Sequence, residues 1–303
     1  MKFAAIDIGS NAVRLLFCNI FDKKHGPVIK KSSLIRVPIR LGEDVFSNGA
    51  ISSHKATELI KTMQAFKNLM EVQKVVAFRA CATSAMREAI NGDQLVSKIK
   101  DEAGIHIEII KGNLEAEIIF SSYIPDTLND KKSYLYIDVG GGSTELTLFS
   151  RNEKIASGSF NIGTLRMLQN KELKDEWDRL KKWTKINVKG IKNGVAIGSG
   201  GNIIKLSKLA KKKENKALSF EKLKELDEYL NKFTYEERVE SLGLNPDRAD
   251  VITQASKIFL TIMQTGAIKK IYVPQIGLAD GIIKTVYMDW MKKNNEKTTE
   301  SIY

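Results

Sequence analysis

A strand, a glycine turn and a second strand recur as a unit in this chain, and that repeat constrains the fold more than any other feature. The first copy is Ala5-Ile6-Asp7-Ile8-Gly9-Ser10-Asn11; the second is Tyr136-Ile137-Asp138-Val139-Gly140-Gly141-Gly142-Ser143-Thr144-Glu145. In each, an apolar strand delivers an aspartate and the chain turns through glycine and small polar residues. An outgoing strand follows, Val13 to Phe17 in one copy and Leu146 to Phe149 in the other. Glycine lets backbone N–H groups come close to an anion, and an aspartate at that place can hold a metal on it. The two aspartates are 131 positions apart (138 minus 7), which predicts two similar half-molecules facing one cleft.

At 303 residues the chain exceeds what one hydrophobic core usually supports, so two domains are expected, 1–124 and 125–303, with the turn-rich Pro125 to Lys132 as the boundary and a last helix able to pack on either domain. A formal charge of +12 favours a polyanionic partner: nucleic acid, an acidic membrane surface or a phosphate polymer. Cys18 and Cys81 stand in apolar stretches without metal-ligand spacing and read as buried free thiols of a cytoplasmic protein. No apolar run approaches the ~20 residues of a membrane span, and the N-terminus lacks a signal-peptide pattern.

Along the first half the pattern predicts strands through Phe17, an extended run from Val28 to Ile39, and a helix capped by Ser52 and running to about Met70. A buried strand from Lys74 to Ala80 follows, then a helix carrying Ala85, Met86 and Ile90, a helix over 93–103, a strand over 105–110 and a helix over 113–122. The second half restarts with a strand at 134–139, a hairpin through 160, one helix over 164–185, and a strand at 194–197 that leads into another helix. This alternation is that of an α/β protein. The lysine-rich stretch 205–216 and the tail 292–299 read as solvated faces, and His25, His54 and His106 as structural or exposed.

Five constellations carry chemistry. Asp7, Gly9, Ser10 and Asn11 form the first turn. Three successive glycines in the second, Gly140, Gly141 and Gly142, weaken a strand end and bring no packing, so close approach of a ligand explains them best. Asp138 and Glu145 flank that loop and can converge on Mg²⁺, a hard cation that takes oxygen ligands. Thr83 or Ser84 opens a helix after a strand, at an anion-attracting terminus, with Arg87 one turn further on to clamp a phosphate. Gly198-Ser199-Gly200-Gly201-Asn202 is a weaker phosphate loop. Finally, Glu115 and Glu117 follow Gly112-Asn113-Leu114 at a helix start, and one of them is a candidate general base.

IDIGSNAVRLL, RACATSAMREA, GNLEAE, IDVGGGSTEL, SFNIGTLRML, IGSGGN, RADVI and IGLADGII, in this order from residue 4 to about 284, together resemble the exopolyphosphatase and guanosine pentaphosphate phosphohydrolase family. The resemblance implies two ribonuclease H-like domains of the actin-like ATPase superfamily around an interdomain cleft. It implies Glu115 as the catalytic glutamate, Asp138 and Glu145 as acids that hold Mg²⁺, and Gly9, Ser10, Asn11, Gly140 to Ser143 and Arg87 as phosphate-binding positions. Arg14 corresponds to an arginine that reaches the substrate. Asp7 is added as a third metal ligand, and Thr83, Ser84, Gly200 and Gly201 as further phosphate contacts. One departure stands out: the family's Gly-Leu-Arg-(Asp/Glu)-Gly reads Gly277-Leu278-Ala279-Asp280-Gly281 here, and loss of that arginine removes a potential anion contact. The expected partners are inorganic polyphosphate and, by the family's second activity, guanosine penta- or tetraphosphate; nucleic acid and membrane are not expected, and a homodimer is allowed. The length resembles the family's short form. An ATP-dependent kinase and a non-hydrolysing binding module are the rival readings, disfavoured by the Glu115 motif and by the complete set of acids.

Overall fold

The computed structural model describes residues 1–23, 26–122, 132–151, 153–170, 174–189, 191, 194–210 and 217–300. The chain forms two compact units. One comprises Met1–Lys111, Glu117–Tyr123 and Leu278–Tyr303, and the other Gly112–Ala116 and Ile124–Gly277. The boundary expected between 124 and 125 falls among residues 123–131, outside the described residues.

In the first unit β1 (Lys2–Ile8), β2 (Val13–Phe21) and β3 (Val28–Val37) make an antiparallel meander. After α1 (Leu41–Asn48) and α2 (Ser53–Val72), β4 (Ala77–Ala82) pairs parallel to β1. Then α3 (Ser84–Glu88) and α4 (Gly92–Ala103) lead to β5 (Ile107–Ile109), parallel to β4. The strand order is β3-β2-β1-β4-β5. Every residue of β1 after Lys2 is buried, as a central strand covered on both faces requires. Ser52 caps α2 as its sequence predicts, its hydroxyl accepting from Lys55 N at 3.3 Å.

Helix α5 (Gly112–Ser122) is shared: its first turn belongs to the second unit and the rest to the first. In the second unit β6 (Ser133–Val139), β7 (Thr144–Ser150) and β8 (Glu153–Phe160) repeat the antiparallel meander. Helices α6 (Thr164–Leu168) and α7 (Lys174–Asn187) precede β9 (Gly194–Ser199), which runs parallel to β6. Next come α8 (Gly201–Leu209), the short β10 (Leu218–Ser219), α9 (Phe220–Leu230), α10 (Tyr235–Glu240) and α11 (Pro246–Ala249). The buried helix α12 (Ile252–Thr265) and β11 (Lys270–Tyr272), parallel to β9, complete the unit. The order β10-β11-β9-β6-β7-β8 contains the arrangement of the first sheet with one strand added at the edge. Two α/β units of this ribonuclease H-like order account for the repeated hairpin. Leu135, Ile137 and Val139 of β6 face a core shared with α12, so Asp138 lies on the opposite face of the sheet.

The last helix, α13 (Leu278–Glu300), returns to the first unit. Phe3 of β1 makes edge contacts with Tyr287 and Trp290, ring centroids 5.7 and 5.8 Å away, and Ile282 and Ile283 are fully buried beside Ile118 and Ile119 of α5. Among the described residues no helix is long and apolar enough to cross a membrane. Cys18 and Cys81 are buried and form no disulfide, and burial together with nearby Asp280 pushes the Cys18 thiol up to about 12.

Several local expectations are corrected. The strand expected from Lys74 begins at Ala77 and is half-exposed at Phe78, because it lies next to the short edge strand β5. That edge strand spans 107–109 rather than 105–110. Ile90 lies outside its helix, which ends at Glu88, and is 86% exposed. The single helix over 164–185 is two helices: Asn170 takes the left-handed conformation, φ 52°, that an α-helix cannot continue through. Helix α1 has no counterpart in the sequence reading. His25 and residues 211–216 lie outside the described residues.

Candidate active site

The site grows from the register of the second sheet. Asp138 on β6 stands directly opposite Glu145 on β7, and Glu145 directly opposite Ser159 on β8; on the other side Asp138 pairs with Ser199 of β9. Directly paired residues share a face with their Cβ atoms about 5 Å apart. The four side chains therefore form one row across four strands, two acids with a hydroxyl at each end. The hydroxyls are used: Ser199 Oγ donates to Asp138 Oδ1 at 2.9 Å, and Ser159 Oγ to Glu145 Oε1 at 3.0 Å. Ser143 Oγ donates to the same Glu145 oxygen at 2.6 Å.

Helix α5 brings the third acid. Carboxylate oxygens of Glu115, Asp138 and Glu145 lie within 4.8 Å of one another, and Glu115 and Glu145 are buried. Gly112, at the start of α5, makes this approach possible. A Cβ there would sit 2.9 Å from Ser159 Oγ and 3.2 Å from Glu145 Oε1, so a side chain would have to displace Ser159 or Glu145 or the helix itself. Gly200 does the same on the far side: its φ is +90°, and a Cβ would sit 2.8 Å from Asp138 Oδ1. Three carboxylates without thiol or imidazole are a hard donor set, fitting one small cation such as Mg²⁺ that keeps several waters.

The glycine turn is held with its acceptors occupied. Gly140 N donates to Ser143 O at 2.9 Å and closes the hairpin. Gly140 O accepts from Thr164 N at 3.0 Å, Gly141 O from Leu165 N and Arg166 N at 2.9 and 3.2 Å, and Gly142 O from Arg166 Nε at 2.9 Å. The first turn of α6 thus takes up carbonyls that would repel an anion. Among the described residues the N–H groups of Gly141 and Gly142 meet no acceptor, so the turn offers donors.

The first unit uses the same plan with other charges. Gly9 N donates to Ala12 O at 3.2 Å, and the carbonyls of Ser10 and Asn11 accept from Gly42 N and Arg40 N at 2.9 and 3.1 Å. Here the row reads Arg36, Arg14, Asp7, Cys81 on β3, β2, β1 and β4. Asp7, expected as a metal ligand, is ion-paired to Arg14 at 2.7 Å within the first unit, whereas Glu115, Asp138 and Glu145 belong to the second. Ser84 Oγ lies 2.8 Å from Ser10 Oγ, and Thr83 N donates to Ile8 O at 3.1 Å. Arg87 Nη1 donates to Ile110 O at 2.8 Å. The expected phosphate-binding residues from Gly9 to Arg87 therefore gather at the ends of β1 and β4. Of the Gly198–Asn202 loop, Ser199 and Gly200 abut Asp138, while the guanidinium of Arg248 donates to Gly201 O. Sequence reasoning missed the supporting role of Ser159; its only signal was membership in the SFNIGTLRML run.

The model of the Ppx/GppA phosphatase family matches residues 20–290. The chain belongs to the Ppx/GppA phosphatase family. Among its relatives, the bifunctional 3-dehydroquinate synthase/phosphatase of Fusobacterium nucleatum is 30% identical over 286 residues, covering 86% of this chain; the chain spans 43% of that protein's length. Exopolyphosphatase 1 of Mycobacterium leprae is 24% identical over 303 residues, covering 93% of this chain and 88% of its own. The crystal structure of an exopolyphosphatase from Cytophaga hutchinsonii superposes with a TM-score of 0.81 at 23% identity, over 94% of this chain and 97% of that one, and shows that the Ppx/GppA fold is shared.

Proposed function

We propose that this protein hydrolyses the terminal phosphoanhydride of inorganic polyphosphate and releases orthophosphate, working in the cytoplasm. The observation that carries this reading is the convergence of Glu115, Asp138 and Glu145 within 4.8 Å in a chain of a phosphatase family. Asp138 and Glu145 would hold Mg²⁺. When bound, the ion supplies positive charge to the non-bridging phosphate oxygens. Glu115 orients a water and takes its proton as the water oxygen bonds to the terminal phosphorus; the bridging P–O bond breaks, and its electron pair leaves with the shortened chain. Backbone donors of Gly141, Gly142 and Ser143 stabilise charge on the transferred phosphoryl group. Arg14, Arg87 and the hydroxyls of Ser10, Thr83 and Ser84, with the turn through Gly9 and Asn11, bind phosphates.

The polymer is favoured over guanosine pentaphosphate by Ala279. Only 6% exposed, it packs in the apolar cluster of the first unit with Cys18 and Ile118, where it offers no anion contact. The test is Mg²⁺-dependent orthophosphate release from the two substrates by wild type and Glu115→Gln. Faster release from polyphosphate, reduced about 10²- to 10⁴-fold in the variant with polymer binding retained, is the expected result. Silence of the wild type on polyphosphate would sink the reading.

A further inference from the structure

We propose that Ser159 is a positioning residue for the acidic triad, fixing Glu145 against the start of the helix that carries Glu115. The inference rests on the reading of the triad as a metal site and assigns a function to a residue outside it. Ser159 Oγ donates to Glu145 Oε1 at 3.0 Å from the directly paired position on β8. The same oxygen is the atom that a Cβ on Gly112 would meet first, at 2.9 Å. One hydroxyl is therefore wedged between β7 and the first turn of α5, so its bond and its bulk together set the separation of Glu145 from Glu115.

The backbone of Ser159 is itself held. Arg179 Nη2 of α7 donates to Ser159 O at 2.7 Å, and Asn161 N donates to Glu176 Oε2 at 2.7 Å. Arg179 and Glu176 also bond each other at 2.6 and 2.8 Å, and the guanidinium lies 4.5 Å over the ring of Phe160. Two residues of one helix turn thus grip both sides of Phe160, at the end of the edge strand that presents Ser159. A serine on an exposed edge has no need of such fixation for packing. Outer-shell hydrogen bonds that orient a carboxylate ligand typically govern metal affinity by 10- to 100-fold.

The test is Mn²⁺ binding without substrate, read from the electron paramagnetic resonance of free and bound ion, for wild type, Ser159→Ala and Ser159→Cys. Because Ser159 is exposed and its carbonyl contact to Arg179 survives in both variants, the fold is expected to persist, with unchanged thermal unfolding. Both should bind Mn²⁺ about 10- to 100-fold more weakly, the thiol being a weak donor, and the bound-ion spectrum should broaden. Polyphosphate affinity in the absence of metal should not change. Tight wild-type binding that both variants retain would overturn the role of Ser159 alone. Absence of Mn²⁺ binding in the wild type would overturn the metal-site reading and this inference with it. Should Ser159→Ala fail to fold, Ser159→Cys decides.

Discussion

Glu176 shows how a single side chain ties pH to the order of the site. The Arg179 guanidinium that hydrogen-bonds it, aided by Asn161 N–H, holds its carboxyl below the usual glutamate range despite partial burial. A carboxyl lowered in the folded state contributes stability that is complete above its unfolded pKa, about 4.3, and is lost as pH falls through the lower folded value. Glu176→Gln should therefore unfold more easily than wild type near neutrality, and the difference should vanish on acidification; thermal unfolding across pH 7 to 3 would show it. At Gly200 the constraint is steric. Gly200→Ala should cost about 1–3 kcal/mol through the positive φ and displace Asp138, which urea unfolding and divalent-cation titration read separately. Both acids of the second turn were legible in the sequence, because two acids seven positions apart with three glycines between them leave room for little besides a hairpin. Ser159 was not, because its place beside Glu145 depends on strand register, a long-range property that no local pattern encodes.

At the scale of elements, the strands and capped helices were legible where local chemistry is strong. Ser52 announced α2, and the apolar run around Asp7 announced β1. What stayed hidden is set by tertiary context: the break at Asn170, where periodicity continues but the backbone turns left-handed, and the end of α3 before Ile90. Helix α13 gives the sharpest test of element packing. Its Ile282 has no exposure in a cluster with Phe3 and Ile118, so Ile282→Ala should destabilise the first unit by about 2–5 kcal/mol. Hydrogen exchange would find faster opening of β1 and β4 than in wild type, with β6 and β7 unchanged; uniform loosening of both sheets would refute that assignment.

For the molecule as a whole, the charge of +12 predicts that polyphosphate associates faster at low ionic strength, by about tenfold or more, with screening setting in as the Debye length falls to about 10 Å near 0.1 M salt. Stopped-flow association across a salt series measures it, and a flat profile would rule out steering. The larger lesson lies in the two rows of paired residues. Both sheets place an aspartate at the end of their central strand, yet its partner on the next strand is Arg14 in one and Glu145 in the other. The two proposed roles, phosphate binding at one turn and metal binding at the other, thus differ by a residue on the neighbouring strand rather than by a rebuilt loop. Such a trait is inherited through hydrogen-bond register rather than along a contiguous peptide. It can survive large insertions between strands, whereas deletion of Thr144, the residue of β7 that precedes Glu145, would send that glutamate to the opposite face.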